Sequence, residues 1–188
     1  MKYSIFIIIL LILVFSSCDG RISKHESLKA SVEKFKDSTG VIEIINYFPS
    51  DYSEQVTDTL LHNGNRVRIK AYTDMNHNVL NEFKDQSTLT KHYYRNYLAE
   101  ILISKEGNTV FNKTMDKTVF IEHDPSLESY LKASTLHGVW LNQSKSINNG
   151  TFVIDFLFCK PETDTCFYFE MNIDEYGVFN IKEIEEKQ

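Results

Sequence analysis

Two cysteines near the C-terminus, Cys159 and Cys166, are the residues whose type and spacing point most directly to chemistry. They flank the polar segment 160–165, so two strands joined by that segment would bring the thiols face to face. In an oxidising compartment such thiols form a disulfide, whereas in a reducing one they stay free. A zinc site would need a second Cys or His pair at ligand spacing, which the sequence lacks. We predict a Cys159–Cys166 disulfide, with free packed thiols as the alternative.

Pairing the two cysteines fixes a register that the rest of the hairpin can test. With Cys159 opposite Cys166, apolar side chains of the two strands share one face: Phe152, Ile154, Phe156 and Phe158 lie opposite Ile173, Met171, Phe169 and Phe167. A slip of one residue would place phenylalanines opposite polar residues, because side chains alternate between the faces of a strand. The apolar pattern therefore supports the cysteine pairing independently.

The same register places two carboxylates together on the other face of the hairpin. Asp155 lies opposite Glu170, and like charges directly opposed across strands are unfavourable. A three-residue turn at 175–177 would add a further strand and place Lys182 beside Glu170. We interpret this face as a solvated ladder of charges, since exposed charges usually have no further role. A cation site or an acid pair is the functional alternative.

The N-terminus has the three parts of an export signal. Lys2 lies in a short positive segment, residues 5–15 form an apolar run, and Ser16 and Ser17 precede Cys18. A transmembrane helix needs about 20 apolar residues, so this run is too short for a permanent anchor. Small residues before a cleavage point are typical of a secretory signal. The sequence predicts a signal peptide at residues 1–17.

The segment Phe15-Ser16-Ser17-Cys18 resembles the lipobox of bacterial lipoproteins, with Phe at the place where Leu is usual. The resemblance implies that the Cys18 thiol carries a diacylglyceryl group and that the signal is cleaved before it. Acyl chains contribute about 0.8 kcal/mol per buried CH₂, so two or three hold a protein firmly on a bilayer. Residues 18–22 would then be a lipid-anchored tether at an envelope membrane, with the outer membrane favoured. An ordinary signal peptide or an uncleaved anchor is the alternative.

Residues 23–188 are predicted to form a single β-rich domain. Apolar residues recur at helical spacing near 24–38, whereas 66–72 and 97–103 alternate with a period of two, as strands with one wet face do. A second short helix is expected at 125–133. We predict a mainly β, α+β fold: an antiparallel sheet or sandwich with one or two short helices.

No motif for catalysis, a metal or a cofactor stands out in the sequence. The segment 74–78 is similar to the start of an EF-hand loop, but Val79 and Asp85 stand where that loop needs Gly and Glu, so we interpret it as a polar turn. The formal net charge is -6 without a basic stripe, which argues against nucleic-acid binding. We predict no catalytic residue, no metal, no cofactor and no nucleic-acid partner.

Further resemblances bear on function. Gly138-Val139-Trp140 matches a short signature of lipocalins, although we expect Trp140 to be a core residue beside the sheet. The whole chain resembles small lipoproteins of gut-type Gram-negative bacteria whose domain has no assigned function. The lipobox carries this resemblance together with segments 134–140 and 158–166.

The expected function is a non-enzymatic binding or accessory module that contacts a membrane through its acyl chains and an envelope protein or small ligand through its domain. An assembly component of an envelope complex, or a hydrolase with an unrecognised site, is the alternative. An aromatic-lined cavity would favour binding, a solid core would favour assembly, and a cleft joining a His to a carboxylate or hydroxyl would favour hydrolysis.

Overall fold

The computed structural model describes residues 24–61 and 64–184. The first elements are α1 (Lys24–Thr39), β1 (Ile42–Phe48), β2 (Glu54–Leu60), β3 (Asn65–Asp85), β4 (Thr88–Lys105) and β5 (Asn108–Met115). They are followed by α2 (Lys117–His123), a 3-10 turn (Pro125–Leu127), α3 (Glu128–Lys132), β6 (Thr135–Leu141), α4 (Gln143–Asn149), β7 (Phe152–Cys159), β8 (Cys166–Ile173) and β9 (Phe179–Ile184). α1 belongs to one compact unit with the turn at 85–88, whereas residues 43–84 and 89–184 belong to a second unit.

The strands form two sheets, which confirms the predicted mainly β, α+β class. In the first sheet the order is β1-β4-β3-β2, and β5 pairs with β4 as well. The second sheet has the order β6-β7-β8-β9, in which each strand runs antiparallel to its neighbour. The first sheet is built from residues 42–115 and the second from residues 135–184, so each forms from a continuous stretch of chain.

One hydrophobic core lies between the inner faces of the two sheets. The first sheet contributes Ala99, Ile101 and Ile103, the alternating positions that the sequence placed on one face of a strand. The second contributes fully buried residues of β7 and β8, including Phe156 and Met171. Burial of such side chains stabilises a domain by roughly 1.5–3 kcal/mol each.

One local prediction is wrong. Segment 74–78 is not a turn, because β3 continues through it without a break. Buried Val79 anchors this stretch to the sheet, and the polar side chains before it lie on the strand. Two further short helices, α2 and α4, are also present beyond the one or two that were predicted.

The predicted helices themselves are confirmed. α1 spans the expected segment, and Asp124 caps the turn at Pro125 by accepting hydrogen bonds from the backbone and hydroxyl of Ser126. Within the described ranges, none of the helices combines the length and apolar character that crossing a bilayer requires.

Candidate functional site

A cleft of about 440 Å³ lies between the first sheet and the edge strand β6 of the second. Its volume is within the roughly 300–1,000 Å³ of typical small-molecule sites. The described residues that line it come from four strands and the segment before β2: Ser53, Glu54, Gln55, Thr57, Ile69, Ala71, Tyr97, Leu136, His137, Gly138, Val139 and Trp140.

The cleft exists because part of the inner face of β2 is open to solvent. Gln55 lies opposite Ala71 and Thr57 opposite Ile69, so these polar side chains share the face that β3 buries in the core. Both Gln55 and Thr57 are exposed. Polar residues are tolerated at these inward-facing positions because the second sheet does not cover them, so their polar groups stay hydrated.

A bulge in β6 shapes the opposite wall. Leu136 pairs with Phe158 and Gly138 with Leu157, so His137 is an extra residue without a partner across the strand pair. Bulges of this kind re-aim side chains and often lie next to functional sites. The bulge therefore sets the register of the residues that follow it, so that Val139 lies opposite Phe156 on the inner face and Trp140 opposite Asp155 on the outer face.

Trp140 is 41% exposed and lies opposite Asp155 on the outer face of the second sheet, so the expectation that it is a core residue is wrong. A Cβ atom at Gly138 would lie 3.0 Å from Cζ3 of the indole, closer than ordinary packing allows. Glycine at 138 thus leaves room for the ring to lie along the strand. The Gly-x-Trp pattern is explained by this local packing.

Hydroxyl groups at one end of the cleft form a network. The Ser53 hydroxyl lies 2.9 Å from the Thr73 hydroxyl and 3.1 Å from the Tyr97 hydroxyl. Thr73 is buried and also accepts a hydrogen bond from the Ser53 backbone. These bonds fix the Tyr97 ring, which forms part of the cleft wall.

The carboxylate in the cleft is already paired. Glu54 accepts a hydrogen bond of 2.5 Å from the Tyr52 hydroxyl, and its Oε2 lies 2.8 Å from Nζ of Lys70. The hydrogen bond from Lys70, assisted by that from Tyr52, lowers the pKa of Glu54. A carboxylate with a lowered pKa is a weak general base.

A smaller cavity of about 230 Å³ shares Tyr97 and Leu136 with the cleft. Its wall includes Lys117, whose ammonium donates hydrogen bonds to the backbone carbonyls of Lys132 and Ser134 at 3.3 and 3.1 Å. Burial lowers the pKa of Lys117. Through these two hydrogen bonds, Lys117 connects α2 to the segment that leads into β6, which explains why this lysine is buried.

The predicted cysteine pair is formed. The sulfur atoms of Cys159 and Cys166 lie 2.09 Å apart, and all of the predicted residue pairs of the β7–β8 hairpin occur, from Phe152 opposite Ile173 to Phe158 opposite Phe167. The disulfide closes a loop that carries Glu162. The Glu162 carboxylate lies 2.7 Å from Nδ1 of His92 and accepts a hydrogen bond from the Tyr94 hydroxyl.

The His92–Glu162–Tyr94 cluster lies outside the cleft. Burial, together with the hydrogen bond to Glu162, raises the pKa of Tyr94 to about 12, so its hydroxyl is a poor acid. Phe48 and Phe83 lie against the His92 ring, with centroids 5.2 Å away in each case. This arrangement holds the disulfide loop against β4 of the first sheet.

The facing carboxylates are buried, so their interpretation as a solvated charge ladder is wrong. Asp155 and Glu170 are opposite one another as predicted, but only 6% and 2% exposed. Lys182 lies 2.7 Å from Glu170 as expected, and Lys145 of α4 pairs with the other oxygen of Glu170. The sequence did not predict α4, whose Lys145 helps to cover the carboxylates while the two lysine side chains stay 46% and 58% exposed.

Hydrogen bonds keep Glu170 ionised. Burial alone would raise its pKa, but hydrogen bonds from Lys145, Lys182 and Asn172 outweigh it and lower the pKa to about 2. Asn142 donates a hydrogen bond of 2.9 Å to Oδ2 of Asp155. The group is an ion-pair network with buried carboxylates and partly exposed lysines, and it joins α4 to the second sheet.

Cys18, the predicted lipidation site, lies outside the described residues, as do the signal peptide and the tether. Within the described part of the chain, no group of three or more His, Cys, Asp or Glu side chains is arranged to hold a metal ion. The structure therefore offers the cleft as the candidate site, and its members come from segments that are far apart in the sequence.

One sequence signal could have located the cleft. In β2, Gln55 and Thr57 alternate with residues of the outer face, so the inward-facing side of that strand is polar. An inward-facing polar strand next to apolar ones indicates an opening in a sandwich.

Neither the protein-family models nor the curated proteins compared with this chain give a match.

Proposed function

We propose that this chain is a lipid-anchored envelope protein whose β-rich domain is a non-enzymatic binding module. The observation that supports it is the cleft of about 440 Å³, whose walls combine Tyr97 with the neutral polar side chains of Gln55 and Thr57. Aromatic side chains with a few polar groups around a concave surface are typical of small-ligand sites. The lipobox-like segment ending at Cys18 supports the anchor.

The alternative functions have less support. A component with a purely structural role would gain nothing from an open cleft with an exposed Trp, because exposing a large aromatic side chain forfeits its burial energy. A hydrolase would need an available base in the cleft. Glu54 is engaged by Lys70 and Tyr52, which lower its pKa and leave it poorly suited to accept a proton. His137 also lines the cleft, but no carboxylate or hydroxyl of the described lining residues is hydrogen-bonded to its ring.

The anchor is tested by metabolic labelling with a fatty acid in a Gram-negative host. The parent chain should incorporate the label and fractionate with membranes, whereas Cys18→Ala should do neither, because the acyl chains are the attachment. Cys159→Ala is the matched control, since it removes a cysteine without touching the lipobox. An unlabelled parent, or a Cys18→Ala variant that fractionates like it, would exclude the anchor.

Binding is tested through Trp140, the single tryptophan of the chain. Small-molecule fractions of an envelope extract should change its fluorescence in a saturable manner. Trp140→Phe, examined by mass spectrometry of co-purified small molecules, should retain the same ligand at reduced occupancy. A cleft that retains no small molecule and gives no saturable signal would exclude the binding module.

A further inference from the structure

We propose that α1 is a membrane-surface helix, with Leu28, Val32 and Phe35 inserted among the headgroups of the bilayer that holds the acylated Cys18. The protein then contacts the bilayer twice, through its acyl chains and through this helix. The inference rests on the proposed lipid anchor and adds a second attachment to it. Three properties of α1 lead to it: an exposed apolar stripe, the charges that border the stripe, and the short distance to the anchor.

The exposed apolar stripe is the first property. Leu28, Val32 and Phe35 recur at helical spacing, so at about 100° per residue they fall within an arc of about 60°. Their side chains are 64%, 48% and 67% exposed, and every residue in the range 24–35 is exposed. A helix takes most of its stability from packing its apolar face, since an isolated short helix is marginal in water. A bilayer surface covers this stripe and supplies that stabilisation.

The charges around the stripe are the second property. Lys24 and Lys29 border it on either side, each within about 60° of the nearest apolar residue. Glu26 and Glu33 lie on the opposite half of the helix, as does Lys34. Lysines at the border can lay their apolar stems along the stripe and reach the lipid phosphates with their ammonium groups. Because both glutamates point away from that anionic surface, the helix has the charge arrangement of one that lies on a membrane.

The short distance to the anchor is the third property. Lys24 follows Cys18 by six residues, so even an extended chain places the start of α1 within about 20 Å of the lipidated sulfur. A tether of this length gives the helix a high effective concentration at the surface, so the stripe need not hold the protein there alone. A helix that lies flat keeps both ends at the surface, whereas an upright helix of 16 residues would lift its C-terminal end by about 24 Å.

A second copy of α1 is the main competing partner for the stripe. Helices that pair as a coiled coil carry apolar residues at the a and d positions through at least about three heptads. The stripe of α1 runs from Leu28 to Phe35, which is about one heptad. So short a seam buries too little apolar surface to hold two chains together, whereas a bilayer accepts an apolar stripe of any length.

The inference is tested with a fluorescent label on either face of the helix. In the acylated protein Cys18 carries lipid and Cys159 is bonded to Cys166, so Val32→Cys supplies the one thiol that reacts with an environment-sensitive maleimide dye. The protein is reconstituted into vesicles of phosphatidylethanolamine and phosphatidylglycerol that contain a nitroxide-labelled lipid. Ala30→Cys is the matched control, because position 30 lies about 170° from the centre of the stripe.

The label at position 32 should emit at a shorter wavelength than the label at position 30. The nitroxide lipid should quench it at least about threefold more strongly, because it lies among the headgroups. Replacing the rest of the stripe, by Leu28→Gln with Phe35→Gln, should lower the quenching at position 32 to the level at position 30. The same exchange on the far face, Ala30→Gln with Lys34→Gln, should leave it unchanged. Glutamine is a good helix former, so both double variants keep the helix.

The outcomes distinguish this inference from the anchor on which it rests. Equal quenching of the two labels in an acylated protein would overturn the membrane-surface helix and leave the anchor intact. A shorter emission wavelength at position 32 without quenching by the lipid would also overturn it, since protein would then cover the stripe. A chain that takes up no labelled fatty acid would overturn the anchor and, with it, the second attachment.

Discussion

At the scale of single residues, Glu170 is the most consequential ionisable group of the described chain. It is buried in the second sheet, and lysines from α4 and β9 hold it in its charged form. Removing one partner of a buried ion pair leaves the other charge without compensation, which is costly. Glu170 therefore couples the stability of the domain to pH.

The pH dependence has a definite sign. The folded-state pKa of Glu170 is about 2 against 4.5 for the unperturbed group, so its stabilisation is complete above pH 4.5 and is lost as the pH falls towards 2. Chemical denaturation of the parent should show a loss on the order of 2–3 kcal/mol across that range beyond that of Glu170→Gln. Exposed Glu183→Gln is the control and should parallel the parent. Identical pH curves for Glu170→Gln and the parent would contradict this assignment.

At the scale of elements, the β7–β8 hairpin is cross-linked at the base of its loop by the disulfide, and the loop itself is held by the first sheet. Cys159 and Cys166 close the strands, and Glu162 in the loop binds His92 and Tyr94 of β4. The cross-link limits the freedom of the unfolded chain, whereas the Glu162 contacts act only in the folded state.

Replacing both cysteines by serine should lower the free energy of unfolding by about 2–3 kcal/mol, the effect of a short cross-linked loop. The measurement is denaturant unfolding with and without a reductant. Reductant should destabilise the parent and leave the double variant unchanged. A parent whose stability does not respond to reductant, although its thiols become alkylatable, would refute the stabilising role.

At the scale of the whole molecule, the two sheets meet closely at a turn. Gly177, between β8 and β9, has a φ of +81°, and a Cβ atom there would lie 2.4 Å from the carbonyl oxygen of Val110 in β5. Gly107 has a φ of +83° with nothing within 4 Å of the same position. The two glycines share a backbone conformation and differ in their surroundings.

This pair separates backbone strain from the contact between the sheets. Gly107→Ala should cost about 1 kcal/mol from strain alone, whereas Gly177→Ala should cost at least about 2 kcal/mol more because β5 and the turn must move apart. Unfolding in urea measures both. Equal losses for the two variants would show that the close approach at Val110 has no energetic weight.

The sequence predicted the second sheet far better than the site. Cys159, Cys166 and the alternating phenylalanines specify one register, because any slip exposes apolar side chains. The sequence did not predict α4, because Gln143–Asn149 is short and polar and shows no apolar helical pattern. The ion pair between Lys145 and Glu170 holds this helix against the second sheet. The cleft was not predicted either, because its position depends on where the edge strands of two separate sheets end.

For the export proposed above, the division of the sheets along the chain has a consequence. Residues 42–115 make the first sheet and residues 135–184 the second, so a chain threaded outward from its N-terminus delivers one complete layer before the other. Until the later layer arrives, Ile101, Ile103 and their neighbours have no cover, and a lone sheet with a bare apolar face is prone to self-association. Under the proposed export, we therefore expect a truncated chain that ends before residue 135 to self-associate, whereas the chain that includes the disulfide hairpin does not.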